Sequence, residues 1–363
     1  MKGEGVVMQQ RLDKLREALA NLGADALITE KQENRFYLSG FTGSTGWVIV
    51  TEKEAFLVTD FRYVEQAQEQ APHFTVVKSE RKAVEAIARL LAEKGIKRLA
   101  FEGSVSYQTH QEWSKAFDGV ELIAAPGLLE KIRMFKDESE LAIIREAVRI
   151  AEAGYAHIQT YIKPGVSEED VALELEFFMR KQGASGSAFD MIVASGPRGA
   201  LPHGRASEKI IQAGEMVTLD FGAAYKGYNS DITRTLAVGE PSPKMKEIYD
   251  IVLRAQLAGV AALKPGVSGI AADAATRDII EAAGYGDSYG HSAGHGLGLE
   301  VHELPALSRV STFVLEPGML VTMEPGIYVS GLGGVRIEDD VLITADGHEV
   351  LNKSTKELII LPV

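Results

Sequence analysis

The chain has 363 residues, 45% of them hydrophobic and 25% charged, which fits two soluble globular domains better than one core. A net charge of -13 with no basic stripe argues against nucleic acid as a partner, and no apolar run reaches the ~18 residues a membrane helix needs. With no cysteine, disulfides and thiolate metal sites are excluded.

Met1-Lys2-Gly3-Glu4-Gly5 leads to Gln9-Gln10-Arg11 without the apolar stretch of a secretion signal, so the expected setting is the cytoplasm. Leu12, Leu15, Leu19 and Leu22 recur at helical spacing, with Gly23 as a stop. Ala26–Thr29 reads as a strand. Trp47–Val50 and Ala55–Val58 flank Glu52-Lys53 as a hairpin-like pair. Strands follow over Phe74–Val77 and Arg98–Phe101, with a helix over 82–94 between them. Residues 8–130 therefore form a small α/β domain.

Pro126-Gly127 breaks this pattern. Asp137 with Glu140 makes a capping box, and Leu141, Ile144, Val148, Ala151, Tyr155 and Ile158 supply the apolar stripe of a new helix. The second domain, residues 135–360, carries an internal duplication. Lys163-Pro164-Gly165-Val166-Ser167 is echoed by Lys264-Pro265-Gly266-Val267-Ser268. Ala213-Gly214-Glu215-Met216-Val217-Thr218-Leu219-Asp220 is echoed by Pro317-Gly318-Met319-Leu320-Val321-Thr322-Met323-Glu324. The spacing is too long for a solenoid unit and indicates a duplicated half-domain.

Each copy ends in an acid, Asp220 or Glu324, and carries a second acid downstream, Asp231 or Glu338. Asp220 and Asp231 are centred on Tyr225-Lys226, so a hairpin there would set the carboxylates opposite each other. Glu324 and Glu338 flank Gly331-Leu332-Gly333-Gly334 in the same way. Like charges so placed repel unless a cation lies between them or one is protonated. Two unrelated surface hairpins would explain one pair, but not the same device in both copies.

His295, framed by Gly294 and Gly296, is free to approach the acids closely. Four carboxylates and one imidazole carry a charge that two divalent cations cancel. Such an oxygen-rich set favours Mn²⁺, Co²⁺ or Fe²⁺ over a thiolate-type zinc site. Two such ions can share a hydroxide as a nucleophile, so the expected chemistry is hydrolysis. His203, in Leu201-Pro202-His203-Gly204-Arg205, and His302, in Val301-His302-Glu303-Leu304-Pro305, are candidates to donate to a scissile carbonyl or oxyanion. His291 and His348 lack such framing and read as structural.

Leu-Asp-Phe-Gly at Asp220, Ser-Asp-Ile-Thr-Arg-Thr at Asp231, Gly-His-Gly-Leu-Gly at His295, Met-Glu-Pro-Gly at Glu324 and Val-Arg-Ile-Glu-Asp at Glu338 resemble the Xaa-Pro peptidases of the methionine aminopeptidase–creatinase superfamily. The resemblance covers about residues 135–360, and residues 8–125 resemble the creatinase-type N-terminal domain. It implies a pita-bread catalytic domain with pseudo-twofold symmetry. It also implies two divalent ions per chain, manganese or cobalt, with zinc or iron as alternatives. Asp231 and His295 would each serve one ion, and Asp220 and Glu338 both. Glu324 would bind metal and move a proton, His203 and His302 would hold substrate and intermediate, and Arg336 would support the site through hydrogen bonds. A homodimer or larger oligomer is implied as well.

Methionine aminopeptidases share the ligands but usually lack such an N-terminal domain, and a catalytically silent binding module would have lost ligands that are all present here. Prolidases often carry an arginine after the Val-His-Glu-x-Pro motif, where this chain has Ala306, and the loop Gly40–Gly46 looks more like aminopeptidase P. The expected activity is Xaa-Pro aminopeptidase, with a dipeptide-only Xaa-Pro dipeptidase as the alternative.

Overall fold

The computed structural model describes residues 2–80 and 82–363, and the chain divides into two units between Arg133 and Met134. In the first, six strands form one sheet in the order Thr75–Lys78, Ala55–Thr59, Trp47–Thr51, Ala26–Thr29, Arg98–Phe101, Glu121–Ala124. Val48, Ile49, Val50, Phe56, Leu57 and Val58 are all buried, as continuous apolar runs in a covered sheet require. Trp47–Thr51 and Ala55–Thr59 pair antiparallel, forming the hairpin read from the sequence. Helix Ala83–Glu93 buries Ala86, Ile87, Leu90 and Leu91, a stripe at helical spacing, in the same core as Ile49, Phe56 and Val58. One buried acid of this unit, Glu102, is satisfied locally. It accepts the backbone N–H groups of Glu30 and Lys31 and the amide of Asn34 at 2.7–2.8 Å.

The second unit opens with helix Glu138–Ile158, whose N-cap Asp137 accepts from Glu140 N while Glu140 accepts from Asp137 N. Helix Glu168–Lys181 is capped by Ser167, and its counterpart Gly269–Ala282 by Ser268. The duplicated turns match in detail. Gly165 has φ +95° and donates to Ile211 O, and Gly266 has φ +87° and donates to Leu315 O. Ser167 and Ser268 make corresponding single bridges, to Ile210 and Val314. Each half also builds a sheet. Glu215–Phe221 pairs with Ile232–Val238 in the first, and Leu320–Met323 with Asp339–Ile343 in the second. This is the pita-bread architecture that the family resemblance implies, with the repeat as its two halves.

The register places the acids differently in the two halves. Ladders Met323↔Asp339 and Gly326↔Arg336 continue one register, which sets Glu324 and Glu338 opposite each other as expected. In the first half the turn is Lys226-Gly227, both with positive φ, as a two-residue hairpin loop requires. That moves the expected centre by one residue, so Asp220 faces Thr233 and not Asp231. Asp231 instead falls on the diagonal of the same face, where side chains still meet.

Candidate active site

The four acids, His295, His203, His302 and Arg336 line one cavity of about 690 Å³, with Tyr328, His291, Asp190, Arg205 and Ala306 also in its walls. Gly294 and Gly296 are needed for close approach. A Cβ on either would lie 2.0 Å from Thr322 O or 2.1 Å from Leu304 O. The backbone N–H of His295 donates to Thr322 Oγ1, which lies 3.2 Å from Glu324 Oε1. The threonine of the duplicated Val-Thr strand thus sets two site residues at once.

His295 Nδ1 lies 3.0 Å from the carbonyl of Gly296, so it carries the proton and leaves the Nε2 lone pair facing the acids. Nε2 is 3.3 Å from Glu324 Oε1 and 3.8 Å from Asp231 Oδ2. Burial pushes the His295 pKa down, which keeps the ring neutral. Ligand atoms of Asp231, His295 and Glu338 all lie within 4.8 Å of one another. Asp231 Oδ1 is buried without a hydrogen-bond partner, and its backbone N–H donates to Asp340 Oδ2 at 3.0 Å. Burial, and then repulsion among the neighbouring carboxylates, drives Asp231 and Glu338 well above the usual carboxylate range. Glu324 is raised by burial too, with His291 and Arg336 opposing the shift. An orphaned carboxylate oxygen, an imidazole lone pair and crowded negative charge suit divalent cations.

Asp220 stands apart from that group of three. Its Oδ2 accepts from Arg336, whose guanidinium also donates to Thr233 Oγ1 at 3.1 Å, Tyr328 Oη at 2.8 Å and Pro202 O at 3.2 Å. Thr233 in turn donates to Glu338 Oε2 at 2.6 Å. His302 lies over His295 with ring centroids 4.3 Å apart, and burial lowers its pKa. A buried ion pair, Lys136 Nζ to Glu303 Oε1 at 2.6 Å, holds the residue next to it.

His291 and Tyr328, like Asp190 and Arg205 in the same wall, go beyond the sequence reading. His291, read there as structural, points into the cavity, with Nε2 2.8 Å from Tyr328 Oη and Nδ1 2.8 Å from Ser292 O. Tyr328 links His291 to Arg336, and burial raises its phenol to about 12. An even spacing from Glu324 is the signal that could have found Tyr328. His348 lies elsewhere, with Nδ1 against Leu263 O. No helix among the described residues is long and apolar enough to cross a membrane.

The pattern of metallopeptidase family M24 matches residues 142–345, and that of the creatinase/prolidase N-terminal domain matches residues 11–135. A solved structure described as an Xaa-Pro dipeptidase from Bacillus anthracis is 53% identical, covers 98% of this chain and 100% of its own, and superposes with a TM-score of 0.96. An X-Pro aminopeptidase structure from Thermotoga maritima is 38% identical over 95% of this chain and 99% of its own, with a TM-score of 0.89. The Xaa-Pro dipeptidase of Pyrococcus horikoshii is 40% identical over 97% of this chain and 99% of its own length. The chain belongs to metallopeptidase family M24, as a peptidase with a creatinase-type N-terminal domain and a site for divalent metal ions.

Proposed function

We propose that the chain hydrolyses the peptide bond between an N-terminal residue and a following proline. The carrying observation is the convergence of Asp231, His295 and Glu338, with Glu324 3.3 Å from His295, in a cavity that also presents His203 and His302. Two divalent ions held there, Mn²⁺ or else Co²⁺, would supply a nucleophile at neutral pH and polarise the scissile carbonyl. Asp231, His295, Glu338 and Glu324 would hold one ion, and Asp220, Asp231 and Glu338 the other. The sequence expectation had Asp220 shared between the ions. The grouping favours Asp231 for that place, because Asp231 reaches His295 while Asp220 is taken up by Arg336.

The remaining chemistry belongs to the side chains. A prolyl nitrogen has no N–H for the enzyme to bind and needs a proton as it leaves. Glu324 takes a proton from the attacking water and delivers it to that nitrogen. His203 and His302 donate to the carbonyl oxygen as it gains charge. Arg336 holds Asp220 in place and offsets its charge.

Action on longer peptides follows from Ala306, which puts no charge in the cavity wall. The dipeptidase reading has its own support in Arg205, a cation in that wall, and in the relatives named for dipeptides. Assays of Ala-Pro, Ala-Pro-Ala-Ala and Met-Ala-Ala with manganese-loaded protein test the proposal. Cleavage of either proline peptide ahead of Met-Ala-Ala supports it, and cleavage of Met-Ala-Ala alone refutes it. Light scattering tests the homo-oligomer that the family resemblance implies.

A further inference from the structure

Of the arginines among the described residues, Arg336 and Arg205 line the cavity, and they differ in commitment. Arg336 is buried and engaged with Asp220, Thr233, Tyr328 and the Pro202 carbonyl. Arg205 Nη1 instead pairs with Asp190 Oδ2 at 2.9 Å, with the two side chains 73% and 68% exposed. An ion pair that open to water is weakly held, so a substrate carboxylate can replace Asp190 at little cost.

The backbone of Arg205 is nevertheless fixed. Its N–H donates to His203 O at 2.8 Å, and its carbonyl accepts from Arg198 Nη2 at 2.8 Å. Arg198 is itself paired with Glu168, a fully buried acid that also accepts from Ser195 and Ser207. An exposed guanidinium thus stands on a hydrogen-bonded backbone, two residues from His203 in the same wall. In an Xaa-Pro dipeptide the free carboxylate lies only a few bonds beyond the scissile carbonyl. A cation beside a group that binds that carbonyl is therefore where the carboxylate needs one. Ala306, across the sequence in the same wall, offers none.

We propose that Arg205 is a specificity-determining residue, which exchanges Asp190 for the free α-carboxylate of a dipeptide's proline. The proposal rests on the Xaa-Pro reading above and refines it by naming how short substrates are favoured. Arginine suits the task because its fork pairs with a carboxylate through two parallel hydrogen bonds.

The test compares Ala-Pro with its C-terminal amide, Ala-Pro-NH₂, on the manganese-loaded full chain. In the unaltered protein, Ala-Pro should have the lower KM. Arg205→Met should raise KM for Ala-Pro by up to about 5-fold, the loss of an ion pair this open to water, with kcat and the amide's KM unchanged. Arg205→Lys should recover part of that loss, and Asp190→Asn should lower KM for Ala-Pro by removing the competitor. Inhibition by free proline against prolinamide gives a second readout, and Arg205→Met should weaken only the former. Equal effects of Arg205→Met on acid and amide, or none on either, would overturn the proposal. Unaltered protein that cleaves neither compound would instead overturn the Xaa-Pro reading beneath it.

Discussion

Arg336, from the second half of the duplication, donates to the carboxylate of Asp220 at the end of the first half's strand, 116 residues away, with both side chains buried. One of the four acids therefore has a built-in counterion, and the two halves are joined at the site itself. Replacing Arg336 with Met leaves Asp220 unpaired and should cost the metal-free protein about 3–5 kcal/mol. Arg336→Lys should recover part of this. Chemical denaturation of the chelated variants checks it.

His203→Ala and His302→Ala should lower kcat/KM by about 10²–10³ with metal content unchanged, because each removes a donor aimed at developing charge and no metal ligand. Steady-state kinetics alongside metal analysis separates this from ligand loss. Unchanged kinetics for either variant would return that histidine to an ordinary wall residue.

Lys136 and Glu303 are 1% and 4% exposed and pair at 2.6 Å beside His302. Lys136→Met should lower stability by about 3–5 kcal/mol, since it strands a buried carboxylate, whereas Lys136→Met with Glu303→Leu should cost less. Thermal unfolding of the three proteins measures the difference.

Burial raises the phenol of Tyr155 from its usual 10.0 to about 12. The folded chain keeps this proton where the unfolded chain loses it, so the contribution is complete below pH 10 and declines as pH rises toward 12. Each unit of that window costs about 1.4 kcal/mol for one such group. Urea midpoints at rising pH should fall, and Tyr155→Phe should flatten the fall.

The acids and His295 were legible because duplication repeats them in matching strands, and chance does not place Asp220, Asp231, Glu324 and Glu338 twice in one device. The exact pairing of Asp231 was not legible, since it depended on whether the turn centred on Tyr225-Lys226 or Lys226-Gly227. A one-residue change in that centre shifts the opposing residue by two. In the N-terminal unit the buried central strands were readable from their apolar runs. Edge strand Glu121–Ala124 and helix Val64–Gln70 were not, because each buries few side chains, and helix Gln32–Ser39 was not, because most of what it buries is polar, Asn34, Arg35 and Ser39 beside Tyr37 and Leu38. His291 and Arg205 entered the site only through tertiary structure, which brings segments distant in sequence to one cavity.

The account rests on metal held by these acids and His295, and one titration tests it. Chelated protein should lose hydrolysis of Ala-Pro and regain it in step with manganese, saturating near about two ions per chain. Asp231→Asn and His295→Ala should bind less metal in the same titration. Full activity after exhaustive chelation, with no metal detected, would contradict the account.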